Sequence, residues 1–179
     1  ETDFTPPVEP LPVTAKTKLL IRGDTADVWD SSDNCNVGLH DGAEINTEFT
    51  NNSEHFSIDC TGNKWMTISP TTHRIDMLGS DEYTVEFEFY NTELINNSTI
   101  ASYGHGSPVG PWLFYSDDNM LRFYSSSNSS SWNLASAVDL INLSINHWYK
   151  IKLVRDSSGF KVSVNDVLSH TVNYTGTFP

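Results

Sequence analysis

Between residues 147 and 173 apolar and polar side chains alternate with a period of two. Tyr149, Ile151 and Leu153 share one face of a first run, and Phe160, Val162 and Val164 one face of a second, which predicts two half-buried strands. Asp156-Ser-Ser-Gly159 turns between them, and Asn165-Asp166 forms a two-residue hairpin loop, since Asn and Asp both tolerate positive φ. Upstream, the same alternation sets Tyr83, Val85, Phe87 and Phe89 against Thr84, Glu86 and Glu88. Continued along the chain, the pattern predicts strands over 17–22, 55–60, 64–69, 82–90, 97–103, 111–116, 119–125, 138–141, 147–155, 159–165 and 167–173, separated by Gly, Asn, Asp and Ser. The fold class is therefore all-β, an antiparallel two-sheet sandwich with fewer than about a tenth of its residues helical. Tyr149, Ile151, Leu153, Phe160, Val162, Val85, Phe87 and Phe89 are expected in one core.

Three stretches fall outside the alternation. Pro6, Pro7, Pro10 and Pro12 make residues 1–16 an extended arm, either a linker from a preceding module or a strand-like extension lying on a neighbouring subunit, with the domain proper over 17–179. Proline removes the donors that sheet addition uses, which favours the linker. Residues 125–131 are Ser and one Asn, the composition of a mobile exposed loop. The segment 23–54 is less regular and holds no Lys or Arg, while carrying Asp24, Asp27, Asp30, Asp33, Asp41, Glu44, Glu48 and Glu54.

The strands carry a resemblance. Trp148-Tyr149 opening a strand, Arg155 at its end, and Val164-Asn-Asp-Val167 resemble the "WYHVAVTR…G…LFVNGVLV" region of concanavalin A-like, laminin-G-type domains. Tyr83-Thr-Val-Glu-Phe-Glu-Phe89 resembles that family's "FTIEFWV" strand, residues 56–68 its "LSFDGTGDYLTI" hairpin, and Thr17-Lys-Leu-Leu-Ile21 with Asp30-Ser-Ser its opening. Four segments in the family's order span roughly residues 17–172 and imply a jelly-roll sandwich. The chain departs from the pattern at Cys60 and Asp166, where the family has Gly, and it lacks the family's closing "GYIDEVRI"-type segment before Pro179. Either chain beyond this one completes the sheet or the domain is a shortened variant.

Charge and motifs narrow the chemistry. Lys and Arg number 10 against 23 Asp and Glu, a formal charge of −13 that repels phosphate backbones, so nucleic acid is not an expected partner. No apolar run approaches the length of a membrane span. Laminarinase-like relatives of the fold place catalytic acids on one strand as Glu-x-Asp-x-x-Glu. Here Glu86 and Glu88 lack the third acid, the position after Phe89-Tyr90 being Asn91, so they read as exposed strand residues and the chain as no enzyme. A G-x-S-x-G elbow, phosphate-cradling glycine loops and zinc-spaced His/Cys clusters are absent. Asp30-Ser-Ser-Asp-Asn-Cys-Asn36 offers carboxylates, amides and carbonyls for a structural Ca2+ with Asp30 as the candidate ligand; the competing reading is a solvated acidic loop. Cys35 and Cys60 are the sole cysteines and fit one disulfide or two free thiols equally. Arg22-Gly23-Asp24 reads as a strand-end turn, and the N-x-[ST] sequons as products of an Asn- and Ser-rich composition.

Sugar binding needs an aromatic platform for the apolar face of a ring, with amides or carboxylates beside it for the hydroxyls. Two loops offer these. Residues 103–112 hold Tyr103, His105 and Trp112 among glycines, and Ser131-Trp132-Asn133 sets an indole beside an amide. Trp112 begins a strand and reads as core more readily than as ligand contact, Trp132 fits either role, and Trp148 reads as core. The leading expectation is a non-catalytic, lectin-like adhesion domain recognising cell-surface or matrix glycan. Its resemblance to laminin-G-like domains appended to phage fibres, tails and capsid decorations implies a virion-surface or extracellular protein, joined by its arm to a scaffold or capsid protein and able to form homo-oligomers. The alternatives are a ligand-free decorative domain and an unusual glycoside hydrolase.

Overall fold

The structure, a computed structural model, describes residues 21–22, 29–30, 35–47, 57–70, 82–93, 96–104 and 109–177. All the regular structure among them is β, and no helix is long and apolar enough to cross a membrane. They fall into two units, one within Met77–Pro179 and one within Thr5–Asp76. The Pro-rich arm lies outside the described residues.

The first unit is a sandwich of two four-stranded antiparallel sheets. One sheet runs β11 (Ala135–Asn142), β10 (Met120–Ser125), β9 (Trp112–Asp117), β8 (Ser98–Tyr103); the other runs β14 (Val167–Asn173), β13 (Gly159–Val164), β12 (His147–Asp156), β7 (Tyr83–Asn91). Each sheet buries one face, with the clearest alternation on β9, β10 and β12. Trp112, Phe114, Leu121 and Phe123 point inward from the first, and Tyr149, Ile151, Leu153, Phe160 and Val162 from the second. Phe87 meets Phe114 edge-on at 5.7 Å and Phe123 meets Phe160 at 6.4 Å, so the two sheets share one core, and every side chain expected in it is there.

The turns follow the sequence closely. Asn165 and Asp166 adopt φ of 49° and 64°, the positive pair that a two-residue hairpin needs. Asp156 accepts from the Ser158 amide at 2.8 Å, and Gly159 follows at φ 141°, where a Cβ would lie 1.9 Å from the Val172 carbonyl oxygen. Glu86 and Glu88 sit opposite the core face as expected. Glu86 is bridged by Lys150 at 3.1 Å and Lys152 at 3.6 Å, from the neighbouring strand. Trp148 departs from expectation. It alternates with buried Tyr149, so it faces outward, half-buried, with its ring 5.3 Å from Tyr90.

Among the described residues of the second unit there are three antiparallel pairs: β1 (Ile21–Arg22) with β2 (Trp29–Asp30), β3 (Cys35–His40) with β6 (Trp65–Pro70), and β4 (Glu44–Asn46) with β5 (Ser57–Asp59). Three of these strands lie in the segment 23–54, where the alternation of the sequence predicts none. Cys35, Val37 and Leu39 do alternate with Asn36, Gly38 and His40, but Gly and Asn dilute the β propensity below what a search for Val, Ile and aromatic runs detects. Cys60, just after β5, is a free, exposed thiol, while the Cys35 side chain lies outside what the structure describes.

Candidate functional site

The outer face of the β8–β11 sheet carries the main aromatic surface of the first unit. Alternation that buries Phe114 and Phe123 turns Leu113 and Tyr115 on β9, and Arg122 and Tyr124 on β10, outward. Tyr124 lies opposite Leu113 and Tyr115 opposite Arg122 in the β9–β10 register. Tyr115 and Tyr124 meet edge-on at 6.2 Å, and Trp132 lies against Tyr124 at 5.4 Å. Three half-buried aromatic rings thus run in a row across two strands and a loop. Arg122 lies beside them, donating from Nε to Asp139 at 2.8 Å and from Nη1 to Asp117. Tyr115 Oη donates to Asn97 Oδ1 at 3.4 Å at the far end.

The loop that delivers Trp132 is held by its own side chains. Asn133 Oδ1 accepts from the Ser127 amide at 3.0 Å and from Ser126 Oγ at 3.3 Å, while its Nδ2 donates to Ser127 Oγ at 2.8 Å. Asn128 Oδ1 accepts from the Ser130 and Ser131 amides, each at 3.0 Å, and the Leu134 amide closes onto the Ser125 carbonyl at 3.1 Å. The Ser/Asn run therefore forms an Asx-type turn at Asn128, and Asn133 ties the two ends of the loop that carries Trp132. Asn133 holds the loop in shape.

The other expected site residues are divided by the sheet. Tyr103 and Trp112 pair across β8 and β9 and stack at 6.2 Å, but on the inner face: Trp112 is 4% exposed and belongs to the core, as the strand it opens implies. They do not share a surface with Trp132. His105 lies outside the described residues, as do residues 31–34 beside Asp30, whose backbone pairs in β2. Among the described residues no group of three or more His, Cys, Asp and Glu could hold a metal ion. Tyr115, Tyr124 and Arg122 were missed from sequence, although the signal is present. Trp112-Leu-Phe-Tyr and Leu121-Arg-Phe-Tyr each put aromatics on both faces of a strand, and a sheet with one buried face needs them on only one.

A comparison with curated proteins gives no match. Among solved structures the chain resembles one from work on botulinum neurotoxin type C, whose cell entry is described as dependent upon interaction with two ganglioside molecules; the TM-score is 0.61 at 14% identity, over 87% of this chain and 38% of that one. At that identity the likeness is one of fold, and this chain spans well under half of its neighbour. Residues 60–179 match a laminin-G-type family model, and the chain belongs to the concanavalin A-like lectin/glucanases superfamily.

Proposed function

We propose that the protein is a non-catalytic carbohydrate-binding domain whose ligand lies on the outer face of the β8–β11 sheet, across Trp132, Tyr124 and Tyr115. The observation that carries this reading is the aromatic row beside the Asp117–Arg122–Asp139 cluster. Indole and phenol faces stack on the C–H face of a pyranose, and guanidinium and carboxylates bond its hydroxyls. The rings are preorganised, since the loop hydrogen bonds hold Trp132 before any ligand arrives. Membership of a lectin-containing superfamily and likeness to a toxin described as interacting with gangliosides support a glycan as ligand.

Arg122 faces two carboxylates, and the chain carries −13 overall, so the site favours a neutral glycan over an anionic one. Trp132→Ala should weaken glycan binding about tenfold or more, as loss of one stacking ring does, and shift the melting temperature little. Array binding and thermal melts measure the two. Loss of stability together with binding would make Trp132 a packing residue, and loss of neither would move the site elsewhere.

The reading extends to display on a virion or other extracellular surface, with the Pro-rich arm as tether and many weak sites acting together. It also takes the domain to be no hydrolase, because Glu86 is committed to two lysines on an outer face. Glu86→Gln with Glu88→Gln should leave reducing-sugar release at the background of the parent; measurable turnover lost in the double variant would restore the enzyme. A structural Ca2+ at Asp30 rests on the acid-only composition of 23–54, and melting curves with and without a chelator test it.

A further inference from the structure

The second unit contains an aromatic cluster of its own. Across the β3–β6 ladder Gly38 lies opposite Thr67 and His40 opposite Trp65, so these four residues share one face. The His40 ring bonds diagonally to Thr67, Nε2 to Oγ1 at 2.8 Å. It does so over Gly38, where a Cβ would stand 2.9 Å from Thr67 Oγ1 and 3.0 Å from His40 Nε2. Trp65 stacks on His40 with centroids 4.0 Å apart and planes 15° from parallel. Its indole Nε1 donates to Asp41 Oδ2 at 2.8 Å. Asp41 and Gly42 follow the strand with φ of 55° and 84°, and the Ala43 amide closes onto the His40 carbonyl at 3.0 Å, a tight turn that sets the carboxylate at the edge of the indole.

Three side chains and one missing side chain therefore fix Trp65, which is nevertheless 47% exposed. A tryptophan held only for stability would turn its ring into a core. This one is backed on one face by an imidazole, gripped at its N–H, and open to solvent over much of the rest. We propose that His40, Asp41 and Trp65 form a second sugar-binding site, separate from the Trp132 row, that stacks a neutral pyranose ring on the exposed indole. Asp41 has lone pairs beyond the one given to the indole and accepts from a sugar hydroxyl. The rim carries carboxylate charge, and Lys64 nearby is tied to Asp59 at 2.6 Å, so an anionic sugar is disfavoured.

Calorimetric titration of the whole chain with a panel of neutral oligosaccharides, namely glucan, mannan, galactan and chitin fragments, distinguishes this site from the other. Two equivalents should bind to the parent, with one lost in Trp65→Ala and the other in Trp132→Ala. Gly38→Ala, which pushes His40 off Thr67, should weaken the Trp65 equivalent about threefold to tenfold while the thermal melt shows the fold retained. One equivalent, lost in Trp132→Ala and untouched in Trp65→Ala, overturns the second site and leaves the first. One equivalent lost only in Trp65→Ala upholds the second site and overturns the first. No binding by the parent to any member of the panel overturns both.

Discussion

Leu153→Ala should destabilise the protein by about 2–5 kcal/mol, measured by urea denaturation, with no change in secondary structure by circular dichroism. Leu153 is fully buried and lies between Val162 on β13 and Val85 on β7 in the ladder. It belongs to the cluster that Phe114 and Phe123 enter from the facing sheet. Truncation removes the transfer free energy of the lost methyl and methylene groups. It also leaves a cavity, because neighbours pinned by two hydrogen-bonded sheets relax only in part. An unchanged midpoint would mean that Leu153 does not face the core, and the inward register of β12 would fall with it.

That register was legible because a period of two assigns every side chain of a strand to a face once one of them is known. It held for β7, β12 and β13 and for the Asn165-Asp166 turn, whose positive φ values are local chemistry. It fails where resemblance is followed in place of position. Trp148 reads as core from its place in the family-like strand, yet it neighbours Tyr149 in sequence, and both cannot face inward. The segment 23–54 shows no clear strand in the sequence because Gly and Asn interrupt its apolar positions, although β3 carries the alternation in muted form. Trp65 opens β6 after the turn at Gly62-Asn63, and nothing local in the sequence marks it as a surface ring. Only the pairing of β3 with β6 shows that its partner is another ring, His40, and not the core. Sites made by cross-strand pairs depend on which strands are neighbours, and a single sequence does not state that.

Arg155 illustrates the same limit and carries the second large expectation. Alternation from Tyr149 through Ile151 and Leu153 continues to position 155, so the sheet points a guanidinium into the core, where it is 1% exposed. Its charge is met by the end of the described chain: Nη1 donates to the Tyr174 carbonyl and Nη2 to the Gly176 carbonyl at 2.9 Å. The guanidinium also lies 5.4 Å from the Phe160 ring centroid and 5.6 Å from that of Tyr174, so two aromatic faces contribute where water is excluded. Tyr174 in turn donates to the Thr177 carbonyl at 2.8 Å. Gly176 lets the Tyr174 ring lie close, since a Cβ there would stand 2.5 Å from Tyr174 Oη and would shift the ring. One arginine thus fastens residues 174–177 over the end of β12. Arg155→Met, close in volume and without donors, should cost about 2–4 kcal/mol, since charge-assisted hydrogen bonds are lost and carbonyls they satisfied are left without those donors. Arg155→Lys should recover only part, because an ammonium has neither the planar fork that reaches both carbonyls nor the flat face that lies on the rings. Hydrogen exchange gives the diagnostic readout. In Arg155→Met the amides of 174–177 should lose protection first, before those of β12 and β13, whereas equal protection and an unchanged denaturation midpoint would show that the segment is held by other contacts.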